Sequence, residues 1–377
     1  MKIIIAPNSF KGSLSAQAVA NSIMRGIRKA EPDATFEILP IADGGDGLVD
    51  ILVFAKIARL KTAKVSDPLG RKILANFAYI PGKKTAIIEM ALASGLALLK
   101  NKERNPLKTT SKGVGELIAK AVASGAKKII LGIGGSATCE GGIGALSAMG
   151  VKFFGKDSRE LSATPENLCE IREMDITCID RKIAKAQIEI ACDVENPLLG
   201  KNGAANVYAP QKGANKSQVK FLESGLANFA KVIKNSTGIS VKNMKGAGAA
   251  GGIGASLHAV LGAKMSKGTD IVFSLLELKQ KIKGADLVIT GEGRMDFQTA
   301  FGKAPAELAK LAKKEGIPCI AICGSVGDKI EKLRDIGISE VFPILKGSVT
   351  LEEAMKNASR LISLTAEDVM GNIKFNH

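Results

Sequence analysis

The amino-acid sequence predicts a discontinuous, doubly wound parallel-sheet α/β domain of the Rossmann or flavodoxin-like kind, with a second, mixed α/β domain inserted into it. Both ends of the 377-residue chain alternate short apolar runs with amphipathic helix patterns, which is typical of βαβ units and a parallel sheet. The middle has strand-like runs joined by short turns, and these suit antiparallel hairpins because parallel crossovers need a dozen or more residues. We therefore predict the first domain over 1–60 and 268–377, and the inserted domain over 61–267.

The elements of the first domain follow from apolar runs and helix start signals. Ser13 or Ser15 can cap a helix whose apolar stripe runs through Val19, Ile23 and Ile27 at every fourth position. The predicted strands are Lys2–Pro7, Phe36–Ile41, Asp286–Thr290, Pro318–Cys323 and Val341–Leu345. The other predicted helices are one ending near Ala58, one near Ile271–Ile282, one near Pro305–Lys314 and one over Leu351–Met370.

The inserted domain is marked by turn signals at Asp67–Gly70 and Pro81–Lys83. An uncharged stretch of Gly, Ala and Ser over Gly246–Ala263 is predicted as a buried, close-packed helix rather than a membrane span. The predicted strands are Thr62–Val65, Lys72–Ile80, Thr85–Met90, Lys128–Ile133 and Gln187–Cys192, with a helix over Ser111–Ala123.

Composition excludes several classes of function. The formal charge is +16, but the basic residues are scattered and aromatic residues make up only 4% of the chain. Nucleic-acid binding, which usually concentrates charge and adds stacking rings, is therefore not expected, whereas a positive field suits a small anionic substrate. Six cysteines form no C-x-x-C pair and only two histidines are present, so a zinc site is not expected. The N-terminus has no signal-peptide pattern, which predicts a cytoplasmic protein with reduced thiols.

Four loops of the first domain follow predicted strands and carry most of its candidate chemistry. In a doubly wound sheet such loops share one edge, where ligands bind. Carboxylates there can hold Mg²⁺ or accept a proton, and Lys or Arg can neutralise phosphate oxygens. The alternative is that Gly-Asp pairs are simply turns. The loops are 7–13, 42–47, 290–296 and 323–328, and their charged residues include Lys11, Asp43, Asp46, Glu292, Arg294 and Asp296.

Two loops of the inserted domain add to this set. The Gly134–Ser136 segment follows a strand and can present backbone N–H groups to an anion. Asp193 follows another strand as a candidate metal ligand or base, or only a turn cap. Gly246–Gly251 matches G-x-G-x-x-G, but the preceding residues are too polar for a buried strand, so the match is weak. With both histidines outside polar loops, the profile is that of phosphoryl transfer by carboxylates, cations and backbone amides.

Eight distinctive segments span nearly the whole chain: PNSFKGSLSA (7–16), ADGGDG (42–47), DPLGR (67–71), GIGGSATCEGG (132–142), ACDVENPLLG (191–200), APQKGA (209–214), GAGAAGGIGA (246–255) and ITGEGRMDFQTAFGKAP (289–305). In these segments and their order the sequence closely resembles the bacterial glycerate kinase family that makes 2-phosphoglycerate. This resemblance implies ATP-dependent phosphorylation of D-glycerate with Mg²⁺, in a cleft between two domains. A kinase that phosphorylates the 3-hydroxyl and a non-catalytic glycerate sensor stay open as alternatives, as does a homodimer.

The resemblance also points to individual residues around the substrate and the transferring phosphate, foremost Lys11, Arg71, Asp193, Glu292 and Asp296. Their roles are hypotheses: Asp193 or Asp296 would accept the hydroxyl proton or hold Mg²⁺. Four residues depart from the usual family pattern: Asn8 in place of Asp, Asp46 in place of Glu, and Cys139-Glu140 in place of Asn-Asp. The candidate catalytic residues are Lys11, Asp193, Glu292 and Asp296; the candidate substrate-binding residues are Ser9, Asp43, Arg71 and Arg294; and the candidates for phosphate or nucleotide are Gly134, Gly135, Ser136 and Lys212.

Overall fold

The structure, a computed structural model, describes residues 1–300, 302–345, 347 and 350–372. The chain divides into two compact units. Unit 1 comprises Met1–Asp43, Asp50–Ile57 and the chain from Thr269 onward, and unit 2 comprises Gly44–Val49 and Ala58–Gly268.

Strands and helices alternate along much of the chain. In chain order, the strands are β1 Lys2–Ile5, β2 Thr35–Ile38, β3 Arg59–Ser66, β4 Lys72–Ile80, β5 Thr85–Glu89, β6 Lys128–Gly132, β7 Lys152–Phe154, β8 Glu160–Leu161, β9 Glu173–Asp175, β10 Gln187–Ala191, β11 Lys264–Ser266, β12 Leu287–Thr290, β13 Arg294–Met295, β14 Cys319–Cys323, β15 Ser325–Val326 and β16 Ile338–Pro343. The α-helices are α1 Ala16–Ala30, α2 Leu48–Phe54, α3 Ala91–Ser94, α4 Lys112–Ala123, α5 Ile143–Ala148, α6 Arg181–Ala184, α7 Ala204–Tyr208, α8 Lys216–Thr237, α9 Ile253–Leu261, α10 Gly268–Leu276, α11 Leu278–Lys281, α12 Ala304–Lys314, α13 Lys332–Asp335, α14 Leu351–Lys356 and α15 Ala358–Asn372.

Unit 1 is built on a parallel sheet with the strand order β2-β1-β12-β14-β16. In order of appearance along the chain this is the 2-1-3-4-5 order of flavodoxin-like folds, so the predicted fold class is confirmed. The predicted stripe of Val19, Ile23 and Ile27 is fully buried on α1, and the helix is capped by Ser15, whose side chain accepts a hydrogen bond from the Ala18 N–H. The strand order reverses between β1 and β12, and the loops that follow these two strands define the topological switch point.

Helix α1 packs against α15 so closely that only glycine fits at position 26. A Cβ at Gly26 would clash with the carbonyl oxygen of Ser363 and would lie 2.8 Å from the Cβ of Ala366. Beside this contact the hydroxyls of Ser22 and Ser359 are 2.9 Å apart, and Arg25 donates to Ser359 at 2.7 Å. The first and last helices of unit 1 are therefore held by a backbone-to-backbone approach.

We expect Gly26→Ala to lower the free energy of unfolding by about 1–3 kcal/mol, because the added methyl group overpacks this contact. The sign is informative, since Gly→Ala inside a helix otherwise stabilises by up to about 1 kcal/mol. Gly371→Ala on α15 is the matched control and should not destabilise, because no atom of the described residues lies within 4 Å of a Cβ at that position. Urea unfolding followed by circular dichroism measures both variants, and a Gly26→Ala variant as stable as wild type would contradict the contact.

Unit 2 contains a mixed sheet with the order β11-β10-β6-β5-β4-β3. Strands β3, β4 and β5 pair antiparallel, as the turn signals predict, while β5, β6, β10 and β11 are parallel. The β3–β4 turn is held by Asp67, whose carboxylate accepts from the N–H groups of Leu69 and Arg71 at 2.8 Å. A small antiparallel sheet, β8-β7-β9, was not predicted.

Three predicted helices are interrupted or shorter in the structure. The helix expected over Ile271–Ile282 breaks at Glu277, which has φ +55°, and the helix expected over Leu351–Met370 breaks at Asn357. Within Gly246–Ala263 only α9 is α-helical. The chain before α9 packs tightly, since a Cβ at Gly251 would clash with the carbonyl oxygen of Thr138. In the described part of the chain, no helix has the length and apolar character needed to cross a membrane.

Candidate functional site

The polar loops of unit 1 meet at the carboxyl ends of β1, β12 and β14, around a cavity of about 400 Å³. The loops approach each other through glycines: a Cβ at Gly291 would clash with the carbonyl oxygen of Ile322, and one at Gly324 with that of Gly293. Short parallel pairing of β13 with β15 joins the same two loops. The polar lining residues are Asn8, Ser9, Lys11, Ser13, Asp43, Glu292, Arg294, Lys303 and Ser325.

Glu292 is the buried carboxylate of this cluster. Its Oε1 accepts a hydrogen bond of 2.6 Å from the Thr299 hydroxyl, and its Oε2 lies 3.2 Å from the Lys303 ammonium. Burial raises the pKa of Glu292 above its usual value, and the charge of Asp43 adds to this, although Thr299 and Lys303 oppose it. Glu292 therefore combines a fixed orientation with a raised affinity for a proton, which is typical of groups at functional sites.

Asp43 connects the loop after β2 to helix α12. Its Oδ1 accepts from the N–H of Ala304, the first residue of α12, at 2.8 Å. Its Oδ2 accepts from the side-chain amide of Asn8 at 3.2 Å. An aspartate at position 8 would place a second carboxylate against Asp43, so the amide at this position is suited to its neighbour. Because Lys303 directly precedes α12, the Asp43 bond also helps to place the Lys303 ammonium beside Glu292.

Of the remaining residues predicted in unit 1, Ser9, Lys11 and Arg294 line the cavity, whereas Asp296 lies beside Arg294 and is not part of the lining. The Oδ1 of Asp296 accepts from the N–H of Gln298 at 2.9 Å, and its Oδ2 lies 3.5 Å from the Nε of the exposed Arg294. Lys11 is exposed and its side chain has no hydrogen-bond or ion-pair partner among the described residues. The N–H of Ser9 donates to the Asn8 side chain at 2.7 Å. Two cations, Lys11 and Arg294, are therefore exposed at the cavity, and the Asp296 carboxylate lies next to Arg294.

In unit 2, the segment Gly44–Val49 lies across the carboxyl ends of β5, β6 and β10. The buried Glu89 accepts from the N–H groups of Gly47 and Val49 at 3.0 and 2.6 Å. A Cβ at Gly134 would lie 3.0 Å from the Cα of Gly45. The ADGGDG motif therefore contributes Asp43 to unit 1 and its following residues to unit 2.

The Gly134–Ser136 loop lies in this same part of unit 2. The backbone N–H groups of Gly134, Gly135 and Ser136 donate no hydrogen bond among the described residues, and Gly135 has φ +66°. Successive N–H groups of this kind can bind an anion. The carboxylate of Asp46 faces the loop, since a Cβ at Gly135 would lie 2.9 Å from its Oδ1.

Lys212 lies beneath this loop and is buried, with 2% of its surface exposed. Its ammonium donates to the Ser136 hydroxyl at 2.8 Å and to the carbonyl oxygen of Thr138 at 2.6 Å. Burial lowers the pKa of Lys212 to about 8, against a smaller opposing effect of the neighbouring Cys139 and Glu140. Lys212 is thus directed at protein acceptors, and it fixes the Ser136 end of the loop.

The lowered pKa of Lys212 predicts a pH dependence of stability. At pH 7 the folded and unfolded states both hold the proton, so the folded state bears the full unfavourable burial of the cation. Between the folded pKa of about 8 and the unfolded value of 10.5, the unfolded state binds more protons, and the free energy of unfolding rises with pH. The total gain is about 3 kcal/mol.

This gain should be absent from Lys212→Met. We expect the difference in unfolding free energy, wild type minus variant, to increase by about 3 kcal/mol between pH 7 and pH 10.5 in urea titrations. Lys220→Met, an exposed lysine on α8, serves as the control and should show no trend. A difference that stays constant with pH for Lys212→Met would show that Lys212 is not a buried cation.

The other predicted residues of unit 2 are placed as follows. Asp193 is exposed after β10, and its Oδ1 accepts from the N–H of Gly268 at 2.9 Å. Arg71 is half-exposed after the β3–β4 turn and forms ion pairs with Asp67 and Glu103. Within unit 2, Asp193 shares the strand-end edge with Gly134–Ser136, whereas Arg71 contacts the turn beside β3.

Sequence reasoning missed three residues that shape these clusters. Thr299 and Lys303 bind Glu292, and Glu89 holds the segment Gly44–Val49. Lys303 stands in the FGKAP part of a matching motif, and Glu89 is a charged residue at the end of an otherwise apolar strand. Either signal could have marked the residue as a candidate.

The comparisons with known proteins agree along the length of the chain. A family model described as the glycerate kinase family matches residues 3–374. A glycerate 2-kinase of Escherichia coli strain K12 is 45% identical over 358 residues, covering 95% of this chain and 94% of its own. A glycerate kinase of Bacillus subtilis strain 168 is 42% identical over 374 residues, covering 99% and 98%. A crystal structure from Salmonella typhimurium LT2, provisionally named glycerate kinase 2, has a TM-score of 0.87 at 42% identity and covers 98% and 97%.

Fold, polar loops and relatives together define the protein as an α/β kinase. The chain belongs to the glycerate kinase family, since the family model spans nearly all of it, and the resemblance found in the motifs is confirmed. Membership of a kinase family implies ATP as the co-substrate.

Proposed function

We propose that this protein transfers the γ-phosphoryl group of ATP to a hydroxyl of D-glycerate and forms 2-phosphoglycerate. The observation that carries the proposal is the nearly full-length likeness to the Escherichia coli protein named glycerate 2-kinase. The accessible cations, oriented carboxylates and anion-binding loop support it, because phosphoryl transfer is catalysed mainly by positioning and by charge stabilisation.

We propose the following roles in unit 1. Lys11 and Arg294, both exposed at the cavity mouth, neutralise phosphate oxygens or the glycerate carboxylate. Asp296, which already pairs weakly with Arg294, is one candidate to accept the hydroxyl proton. Glu292 acts from its buried position by holding Lys303 and by responding to charge changes in the cavity.

In unit 2 we propose that the N–H groups of Gly134–Ser136 bind phosphate oxygens, with Lys212 positioning the loop. Asp193 is the second candidate for the proton acceptor. The Gly268 N–H orients the Asp193 side chain, and the side chain is exposed where a substrate can reach it. We propose that residues of both units serve the same reaction, and the cleft expected from the resemblance stays a prediction.

Mg²⁺ is a further part of the proposal. Among the described residues no group of three or more His, Cys, Asp or Glu could hold a metal. Mg²⁺ is commonly held by one or two carboxylates together with substrate phosphates and water. The carboxylate of Asp46 beside the Gly134–Ser136 loop supports a cation there, because a phosphate alone would meet that negative charge. Asp193 and Asp296 are the carboxylates proposed to hold Mg²⁺, whose chemistry would be to neutralise charge on the transferring phosphoryl group.

A coupled ADP-release assay with Mg-ATP and D-glycerate tests the function, with phosphorus NMR to identify the product. We expect ADP release that depends on D-glycerate and a product that is 2-phosphoglycerate. Formation of 3-phosphoglycerate would correct the position of transfer. Glycerate binding without ADP release would instead indicate a sensor and would overturn the proposed activity.

A further inference from the structure

One wall of the unit 1 cavity carries two large apolar side chains that are exposed rather than packed in the protein core. Leu351 is 62% exposed and Met355 is 39% exposed, although both are large hydrophobic residues. Both lie on α14 and line the cavity, together with Ala354 and with Ala358 just beyond the break at Asn357, two alanines that are themselves buried. Large apolar side chains left in water at the lining of a cavity indicate a ligand that covers them.

This wall is held firmly in place. The side chain of Thr350 caps α14 in a reciprocal pair of hydrogen bonds with Glu353. The hydroxyl of Ser13 donates to the carbonyl oxygen of Met355 at 2.7 Å. Gly12 has φ +78°, and a Cβ there would lie 3.2 Å from the Met355 methyl group. The loop after β1 and helix α14 are thus packed together, so the apolar face is a built surface rather than a frayed end.

Other residues that line the cavity are polar or cationic. Lys11 and Arg294 stand at its mouth, and Ser9 and Ser325 add hydroxyls. A ligand that fills this cavity therefore needs an apolar or aromatic part next to a negatively charged part. D-glycerate, a three-carbon acid with two hydroxyls, has no apolar part to cover Leu351 and Met355.

We propose that the wall formed by Leu351, Ala354, Met355 and Ala358 binds the base and sugar of ATP, with the phosphates directed toward Lys11 and Arg294. That the ligand is a nucleoside triphosphate rests on the proposed function. A planar heterocycle buries apolar area against the side chains, and cavities of about 300–1,000 Å³ accommodate ligands of this size. Unit 1 is thereby assigned as the nucleotide-binding unit.

The double variant Leu351→Ala/Met355→Ala tests this assignment by isothermal titration calorimetry. We expect the Kd for ATP to rise about tenfold or more, because the base loses its apolar contacts. The Kd for inorganic tripolyphosphate, which has no base, should stay within about twofold of wild type, as should the Kd for D-glycerate. Leu364→Ala, an exposed leucine on α15 outside this cavity, is the matched control and should bind ATP like wild type.

Three outcomes would overturn the assignment: an unchanged Kd for ATP, equal weakening of ATP and tripolyphosphate, or weakening of D-glycerate alone. Thermal unfolding of the variants confirms that they are folded, as expected for truncation of exposed side chains. The titrations need no turnover, so the test is separable from the proposed activity. Absence of ADP release in the wild-type protein would refute the activity, whereas the affinities for ATP and tripolyphosphate would still decide the binding site.

Discussion

The Asp193→Asn variant is expected to lose about 10²- to 10⁴-fold of kcat, the range typical of a positioned proton acceptor. In the wild-type protein the N–H of Gly268 donates to Oδ1 of Asp193 at 2.9 Å. The substitution is nearly isosteric, and the Asn side-chain oxygen can still accept this hydrogen bond. The fold should therefore be retained while the charge is lost. If Asp193 instead holds Mg²⁺, the variant would also lose kcat. In that case the Mg²⁺ concentration needed for the half-maximal rate would rise as well, which distinguishes a metal ligand from a proton acceptor.

The control for Asp193 lies two residues further along the chain. Glu195 is exposed and forms an ion pair with Lys245 at 3.3 Å, so Glu195→Gln changes the same charge in the same loop and should keep kcat within about threefold of wild type. Steady-state kinetics with D-glycerate and Mg-ATP measure both. If Asp193→Asn stayed within about threefold, less than ~0.7 kcal/mol of barrier, its catalytic role would be refuted.

The Glu292→Gln variant is expected to lower kcat/KM by about 10²- to 10³-fold, as removal of one preorganised charge in a buried site does. The amide keeps an acceptor for Thr299 but presents a donor to the Lys303 ammonium, which then lacks its carboxylate partner. Glu307→Gln is the matched control, because Glu307 pairs with Lys310 on α12 away from the cavity lining. An unchanged kcat/KM for Glu292→Gln would show that the Glu292 carboxylate has no role in the reaction.

The raised pKa of Glu292 adds a second readout. Because the pKa is raised on folding, the stabilising contribution is present at low pH and is lost as the pH rises through the folded pKa. At neutral pH the Gln variant therefore gives up no stability from charge burial and should remain folded. We expect the acid limb of the wild-type kcat profile that reports Glu292 to disappear in the variant.

Periodicity was enough to predict the layers of unit 1, because strands buried on both faces read as continuous apolar runs. Ile3, Ile4 and Ile5 are all fully buried. The neighbours of β1 were not predictable in this way, since β12 comes from the far end of the chain. The break at Glu277 was also missed, because no Gly or Pro marks this left-handed residue.

The candidate site shows the same division. Strand-end position predicted Asp43 and Glu292 at one edge, and the structure brings both to the same cavity. The partners Thr299, Lys303 and Glu89 depend on how separate loops approach one another in three dimensions, which local patterns do not report. The change of unit between Asp43 and Gly44 is likewise a tertiary property.

The placement of β1 has a consequence for synthesis on the ribosome. Ile3 pairs with Phe36 on one side and with Leu287 on the other, so the second neighbour of this central strand emerges only after most of the chain. At about 5–20 residues per second, translation of the intervening segment takes on the order of 15–60 s. During that interval β1 presents an apolar, unpaired edge, which is the kind of surface that chaperones protect. By the time β12 is translated, the whole of unit 2 has been translated, so unit 2 can complete its fold before unit 1 does.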